Sequence, residues 1–481
     1  MKLIFKYKFA WLLSIFLLGG TACSDELVEL NVDPNNPVEV PASNLVTQAQ
    51  YQFHNLMMSR GLNAEWSMLM VQHWSQNEYA EDSRYTVDGN DFDFVWVNYY
   101  ASVLNELDAA KQIINETEAI LPEVRANQLA IIEIMMVNTF HALVDNFGDV
   151  PYNQALNSVD FPLPDYDAQE NIYPDLLARM EAAVNSLVEG AESFGGADLL
   201  YGGNVTQWKK LGNSLMLRMA MRVSDVAEST ASTYVSSAIS GGVFESNADN
   251  ALFAFSDDPN LANPLYIDNT LNNRDDFAVS EILVNSLKDM GDPRLDIFAK
   301  PNNSGEIVGM PYGLTDGEAF ALKSTTSRPS DMVRSPTFPY VLMDYAEVAF
   351  LMAEAVERGF TSGDAAAMYA EGVTASMNYW GIDDQAAIDD YIAANPYDAA
   401  NWKESLGWQK WIAFYMNGPQ AWAEWRRLDF PQLEVPEAAT NPVIPVRLPY
   451  PISEQTRNNS SLQKVTSNPN DLSSPLWWDV N

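Results

Sequence analysis

This sequence predicts a mostly α-helical fold, on three observations. Apolar residues recur at steps of three and four: Leu129, Ile132, Met136, Phe140, Leu143 and Phe147, then Leu211, Leu215, Met219, Val223 and Val226, then Val341, Tyr345, Val348, Met352 and Ala355. That spacing lays a single apolar stripe along one helix face. Proline and glycine punctuate the runs, with Pro122 suited to a first helical turn and Gly148, Gly359 and Gly381 to stops. Alternating strand patterns are weak and short.

The helices fall into pairs: 93–117 with 122–147, 169–189 with 204–227, 340–358 with 364–380, and 402–416 with 420–428. Further helices are expected near 44–60 and 277–290. Antiparallel pairs at this spacing suggest tetratricopeptide-like units, whose period is ~34 residues. The expected architecture is therefore a helix-pair scaffold of about four pairs. Between the second and third pairs lies 241–338, rich in Asn, Asp, Pro and Gly and offering one clear helix. A loop-rich insert of this length is more often functional than idle connection. An irregular tail follows from 430 to 481, and 44–481 reads as one domain carrying the insert.

Composition narrows the function. The 481 residues carry 65 Asp+Glu against 27 Lys+Arg, a formal charge of −38, with 47% hydrophobic residues and 13 Trp. A chain this apolar builds a core, and its field repels phosphate backbones, which excludes nucleic acid as a partner. Neutral glycans or peptides suit that field better than polyanionic polysaccharides. One cysteine excludes a disulfide framework, and His54, His73 and His141 are too dispersed for a multi-histidine metal centre. Asp88-Gly-Asn-Asp-Phe-Asp93 has a faint calcium-loop look, but Phe92 stands where an oxygen ligand is needed. No metal and no cofactor is expected.

The N-terminus reads as an export signal. Lys2, Lys6 and Lys8 precede an apolar run from Phe9 to Leu18, then Gly19-Gly-Thr-Ala22 and Cys23. The run is too short to span a bilayer, and the small residues suit a peptidase. The cysteine's position resembles a bacterial lipobox, with Gly20 where Leu is usual. Residues 1–22 are therefore expected to be a signal peptide, Cys23 the lipidation site, and 23–43 a lipidated leader. No second apolar stretch approaches ~20 residues, so no spanning helix is expected.

Seven segments carry a family resemblance: Asp145-Asn-Phe-Gly-Asp-Val-Pro-Tyr152, Leu200-Tyr-Gly-Gly-Asn-Val-Thr-Gln-Trp208, Asn213-Ser-Leu-Met-Leu-Arg-Met-Ala-Met-Arg222, Asp344-Tyr-Ala-Glu-Val-Ala-Phe-Leu-Met-Ala-Glu-Ala355, Gln409-Lys-Trp411, Trp422-Ala-Glu-Trp-Arg-Arg427 and Arg447-Leu-Pro-Tyr-Pro451. In this order, across nearly the whole mature chain, they resemble the SusD/RagB outer-membrane lipoproteins of the Bacteroidota, in the SusD-like branch. The acidic residues after Cys23 resemble that phylum's surface-export signal. The resemblance implies four tetratricopeptide-like pairs, a ligand face built by the insert, and a lipid anchor in the outer membrane at the cell surface. It also implies a partner, a TonB-dependent porin of the SusC type, over which such lipoproteins sit as a lid. The cargo in that family is most often an oligosaccharide, and RagB-type relatives handle peptides.

The residues themselves also have plain structural uses. Gly148 and Pro151 mark a turn, and Arg218 and Arg222, four apart, suit pairing with Asp225 or with another helix's carboxylate. Arg426 and Arg427 beside Glu424 suit ion pairs at the core edge, Trp411, Trp422 and Trp425 suit the core, and Trp477-Trp478 suit pinning the tail to the body.

A sugar is held by stacking its CH face on an aromatic ring while planar polar groups bond its hydroxyls. Two regions offer loop aromatics beside such groups: Gln72 to Trp96, with Trp74, Asn77, Tyr79, Arg84 and Tyr85, and the insert, with Tyr266, Asn273, Arg274, Asp275 and Tyr312. Trp74, Asn77, Tyr79, Arg84, Tyr85, Tyr266 and Arg274 are the candidate ligand-binding residues. No Gly-x-Ser-x-Gly elbow, His-Glu-x-x-His, Walker loop or dinucleotide fingerprint occurs. Paired carboxylates for glycoside hydrolysis cannot be singled out among 65 acids. The expectation is a non-catalytic binding protein, with a helical-repeat interaction scaffold and a peptide receptor as the alternatives.

Overall fold

The computed structural model describes residues 40–87 and 90–480. The signal segment 1–22, Cys23 and the leader as far as residue 39, and Asp88 and Gly89 of the calcium-like segment, lie outside the described residues. Phe92 of that segment is buried edge-on against Trp66 at 4.8 Å. Among the described residues, no cluster of three or more His, Cys, Asp or Glu is arranged to hold a metal ion.

The fold is mostly helical, as the stripes predict. Helix α1 (Ala42–Met57) packs on α2 (Asn105–Glu116), which packs on α3 (Pro122–Phe147). Next, α4 (Gln169–Ser186) lies between α3 and α5 (Val205–Arg222), and α6 (Glu228–Gly241) folds back on α5. Within the insert lies α7 (Glu281–Asp289). After the insert come α8 (Tyr345–Glu357), α9 (Ala365–Tyr379), α10 (Gln385–Ala394), α11 (Trp402–Ala413) and α12 (Gly418–Leu428). Here α8 pairs with α9 and α11 with α12, while α8 also touches α5 and α11.

Helices α6 and α10 are additions to the expected set. The α6 stripe is only Ala231, Val235 and Ala238 amid Ser and Thr. The segment 93–117 is helical in three consecutive pieces, with a wider π-type stretch at Asn98–Leu104. The expected helix from 340 begins instead at Tyr345, because Tyr340–Met343 (β8) pairs antiparallel with Ala251–Phe253 (β4). Asp344 then caps α8, accepting the Glu347 N–H at 2.8 Å. Helix α3, at 26 residues, is long and apolar enough to cross a membrane, a length the sequence reading passed over. However, 78% of its apolar window is buried inside the protein, so the core uses that surface.

All three histidines are core residues. His54 stacks on Phe253 at 4.4 Å, and His73 bonds the Trp411 carbonyl at 2.9 Å. Burial lowers His54 and His141 to about 4 and His73 to about 3, so they stay neutral. Trp411, Trp422 and Trp425 are buried, as their stripe suggests. Trp478 is also buried, under the guanidinium groups of Arg222 and Arg426 at 5.1 and 4.9 Å. That contact and Trp477, whose N–H donates to Gln169 at 2.9 Å, fasten the tail.

A buried ion network joins the helices. Arg218 of α5 holds Glu347 of α8 at 2.5 Å, and Arg222 reaches Asp145 of α3 at 3.1 Å and Glu424 of α12 at 2.5 Å. Lys410 of α11 lies 2.7 Å from Glu424 and 3.3 Å from Glu354 of α8. Arg427 contacts both carboxylates, at 2.5 Å to Glu354 and 2.7 Å to Glu424. These pairs sit inside the core rather than at its edge.

Three cations therefore depend on Glu424. Glu424→Gln should lower stability by about 3–5 kcal/mol, since breaking a buried pair strands its partners, and the urea unfolding midpoint measures this. Despite burial, the surrounding cations hold Glu354 below and Glu424 well below the usual carboxylate range. A depressed carboxylate gives stability that is present above its unfolded value of 4.5 and is lost as pH falls below it. Acid unfolding of the wild type should thus begin below about pH 5, and Glu424→Gln should flatten that pH dependence.

Candidate functional site

Short ribbons bring the two aromatic–polar regions together. Trp74–Gln76 (β1) pairs antiparallel with Phe277–Val279 (β5) inside the insert, Trp74 opposite Val279 and Gln76 opposite Phe277. The next bond runs from the Asn77 N–H to the Asp276 carbonyl at 2.8 Å. On its other side, β5 receives the Met310 N–H at 2.9 Å and donates to the Ser327 carbonyl at 3.2 Å. Ala299–Lys300 (β6) pairs with Arg328–Pro329 (β7), which sets Lys300 opposite Arg328. Gly309 permits the close layering, because a Cβ there would lie 2.3 Å from the Glu281 Cα.

A groove of about 660 Å³ opens over these ribbons. Its walls carry Asn269, Asn302, Asn303, Ser324 and Thr326 as hydrogen-bonding groups, and Lys300, Lys323, Arg328 and Arg334 as cations. Phe320 contributes a ring that is 63% exposed. The volume falls in the range of small-molecule sites, roughly 300–1,000 Å³. Phe320 sits on the short helix Asp316–Leu322, started by a capping box of Thr315 and Glu318. The sequence reading missed this helix and Phe320, although Thr315-Asp-Gly-Glu318 is a start signal.

The candidate residues take different places. Tyr79 is 62% exposed, with the Arg274 guanidinium 5.0 Å from its ring centre. Its neighbours tie it to the groove: Glu78 pairs with Lys323 at 3.1 Å, and the Ala80 N–H donates to Asp316 at 2.8 Å. Arg84 braces the same loop, donating to the Ala80 carbonyl at 3.2 Å and lying 3.8 Å from Asp316. Arg274 is half-exposed and bonded to Asp276 at 2.7 Å. Tyr266 is half-buried on Pro264–Tyr266, just before the turn that carries Asn269.

Trp74, Asn77 and Tyr85 require correction, because the open face expected of them is absent. Trp74 is 1% exposed; its ring packs on Phe277 and its N–H donates to the Tyr415 hydroxyl at 3.0 Å. Strand pairing turns it inward, leaving only a narrow crevice beside the groove that it shares with Arg274 and Arg334. Tyr85 is buried beside Tyr312. Asn77 is buried with neither amide atom partnered, which costs about 1–3 kcal/mol.

Two charge clusters meet at Asp275-Asp276. Asp276 takes Arg60 at 2.7 Å and Arg274, and Arg60 also holds Asp268 and Glu65, each at 2.5 Å. Arg60, absent from the candidates, thus clamps the insert to the wide-turn segment Arg60–Ser67. Asp275 takes Arg328 at 2.9 Å, Lys323 at 3.7 Å and Arg334 at 4.0 Å. The Arg334 side chain is 10% exposed, its Nε has no hydrogen-bond partner, and burial pulls the guanidinium below its ordinary range.

Nearby, burial and Glu65 push Asp82 up to about 7, although Gln76 donates to it at 2.8 Å. A raised carboxyl gives stability that is present below its unfolded value of 3.8 and is lost as pH rises through about 7. Asp82→Asn, whose amide oxygen still accepts from Gln76, should therefore stabilise the protein above neutral pH. The gain should vanish in acid, as thermal melts across pH would show.

Comparison with known proteins places this architecture. The family model described as SusD-like, starch-binding and associating with the outer membrane matches residues 34–451. No curated protein sequence matches the chain. Among solved structures, one described as a chitin-binding protein is 29% identical, covering 92% of this chain and 100% of its own, at a TM-score of 0.81. A SusD-like protein of Bacteroidetes AC2a is 24% identical, with 92% and 100% covered and a TM-score of 0.79. A SusD homologue from Bacteroides uniformis is 23% identical, with 92% and 99% covered and a TM-score of 0.80, and these last two share the fold. Helix pairs, insert and matched span agree: the chain belongs to the SusD-like family.

Proposed function

We propose that this protein is a non-catalytic, cell-surface receptor that binds a nutrient oligosaccharide in the groove and delivers it to a SusC-type TonB-dependent transporter. A lipid on Cys23 would hold it on the outer membrane. The observation that carries the reading is the groove itself. Exposed rings of Phe320 and Tyr79 stand on tied, neighbouring elements, and the amides of Asn269, Asn302 and Asn303 stand beside Phe320. Rings and planar amides together are what a sugar's CH face and hydroxyls require. The family description as starch-binding and the likeness to a chitin-binding protein support the same ligand class.

In this reading the residues divide their labour. Phe320 and Tyr79 stack, the asparagines with Ser324 and Thr326 bond hydroxyls, and Arg84 and Arg274 hold the Tyr79 loop in place. Capture at the transporter's mouth raises the ligand's effective concentration there, which speeds loading without any chemical step.

Residues 24–481, titrated calorimetrically with neutral and acidic oligosaccharides and with a peptide mixture, test the reading. Saturable binding to a glycan class is expected, and Phe320→Ala or Tyr79→Ala should weaken it by about tenfold or more. Binding of peptides alone would favour a peptide receptor, and binding unaffected by both variants would remove the groove. Cys23→Ser should release the protein from membranes. The transporter should co-purify with the wild type, and its absence would contradict the delivery role.

A further inference from the structure

We propose that the groove selects a sugar bearing a carboxylate, an inference that rests on the oligosaccharide reading above. Asp275 is the one acidic residue in the groove wall, against the four cations Lys300, Lys323, Arg328 and Arg334. Three of those cations share it: Arg328 at 2.9 Å, Lys323 at 3.7 Å and Arg334 at 4.0 Å. Beyond the wall, Glu78 takes Lys323 at 3.1 Å, and Asp331 takes Lys300 at 2.7 Å and Arg334 at 3.4 Å. The wall itself thus presents four cations and a single carboxylate, with the other two carboxylates set back from it. The adjoining cluster, Arg60 and Arg274 with Glu65, Asp268 and Asp276, has two cations against three carboxylates, and none of these lines the groove.

Arg334 is the wall cation whose nearest carboxylates stand farthest off. Its side chain is nine-tenths buried, its nearest carboxylates are at 3.4 and 4.0 Å, and its Nε has no acceptor. A buried guanidinium left this way seeks an oxygen anion, and its planar fork matches a carboxylate. Phe320 on the same wall favours a sugar as the bearer of that carboxylate. A polyanion is disfavoured, since the chain as a whole stands at −38.

The test compares each acidic oligosaccharide with its uncharged twin on the mature chain: sialyllactose against lactose, and a glucuronic-acid-bearing xylo-oligosaccharide against its carboxyl-reduced product. In at least one pair the acidic member should bind about 10- to 100-fold tighter, the worth of a charged hydrogen bond, and the preference should shrink with added salt. Arg334→Gln should bring the ratio within a pair toward one. Lys300→Gln, at an exposed position, serves as the second variant if Arg334→Gln unfolds. Equal binding within every pair, or a ratio unmoved by the substitution, overturns this inference and leaves the oligosaccharide reading standing. Binding of acidic peptides alone, or of no glycan in either form, overturns both.

Discussion

The structure depends on the carboxylates of Glu354 and Glu424 at the meeting of α8, α11 and α12. Each is buried, and together they answer Arg222 of α5, Lys410 of α11, Arg427 of α12 and Arg358 just past the end of α8. Charges this deep are tolerated only when every partner is in place, because stripping water from each ion costs several kcal/mol. An apolar stripe could slide by a turn at modest cost, whereas a guanidinium shifted by a turn loses both of its carboxylates. The network therefore sets the register of helices that the hydrophobic pattern only brings together.

From this centre a line of contacts runs to the groove. Helix α11 carries Lys410 in the network and, one residue on, Trp411, whose indole N–H donates to the Val71 carbonyl at 2.9 Å. The Trp411 carbonyl meets His73, immediately before β1. Just past α11, Tyr415 accepts from Trp74 and donates to the Phe298 carbonyl at 3.1 Å, so one hydroxyl joins β1 to the approach of β6. Its ring also stacks on Phe298 at 4.1 Å. Trp74 thus acts by position: it anchors the strand whose continuation carries Glu78, the partner of Lys323 on the groove wall.

How much was legible in the sequence follows from the range of the interactions. Helices α3, α5 and α8 were readable because stripes such as Leu211, Leu215 and Met219 are local. Helix α6 was not, since its small Ala231 and Ala238 barely register as apolar. The two aromatic–polar regions are readable as composition, loop aromatics beside amides, yet which rings face outward is not. Trp74 turns inward through pairing with a strand some two hundred residues away, and the same holds for Arg60, separated from Asp276 by 216 positions. Phe320 carries a local signal, the capping box that begins its helix, but it stands in an insert whose Asn, Asp, Pro and Gly content reads as mostly loop. The pairing of Arg218, Arg222 and Arg427 is legible in the sequence, while that of Lys410 and Arg358 and the depth of all of them are not, because burial belongs to the assembled helices.

The acidic excess and the basic groove act at different distances. The chain's −38 sets the field that an approaching ligand meets, and chains of closely spaced anions are turned away before contact. At physiological salt that field is screened beyond roughly 8 Å, so a mostly neutral glycan arrives with little hindrance. Inside the groove the nearest charges decide, and these are Lys323, Arg328 and Arg334 around a single shared Asp275. Burial at Arg334 removes water that would otherwise weaken a contact, so one carboxylate docked there counts for more than the same group at the surface. In the proposed reading the surface filters by charge density and the groove by charge position, and a sparsely charged sugar satisfies both.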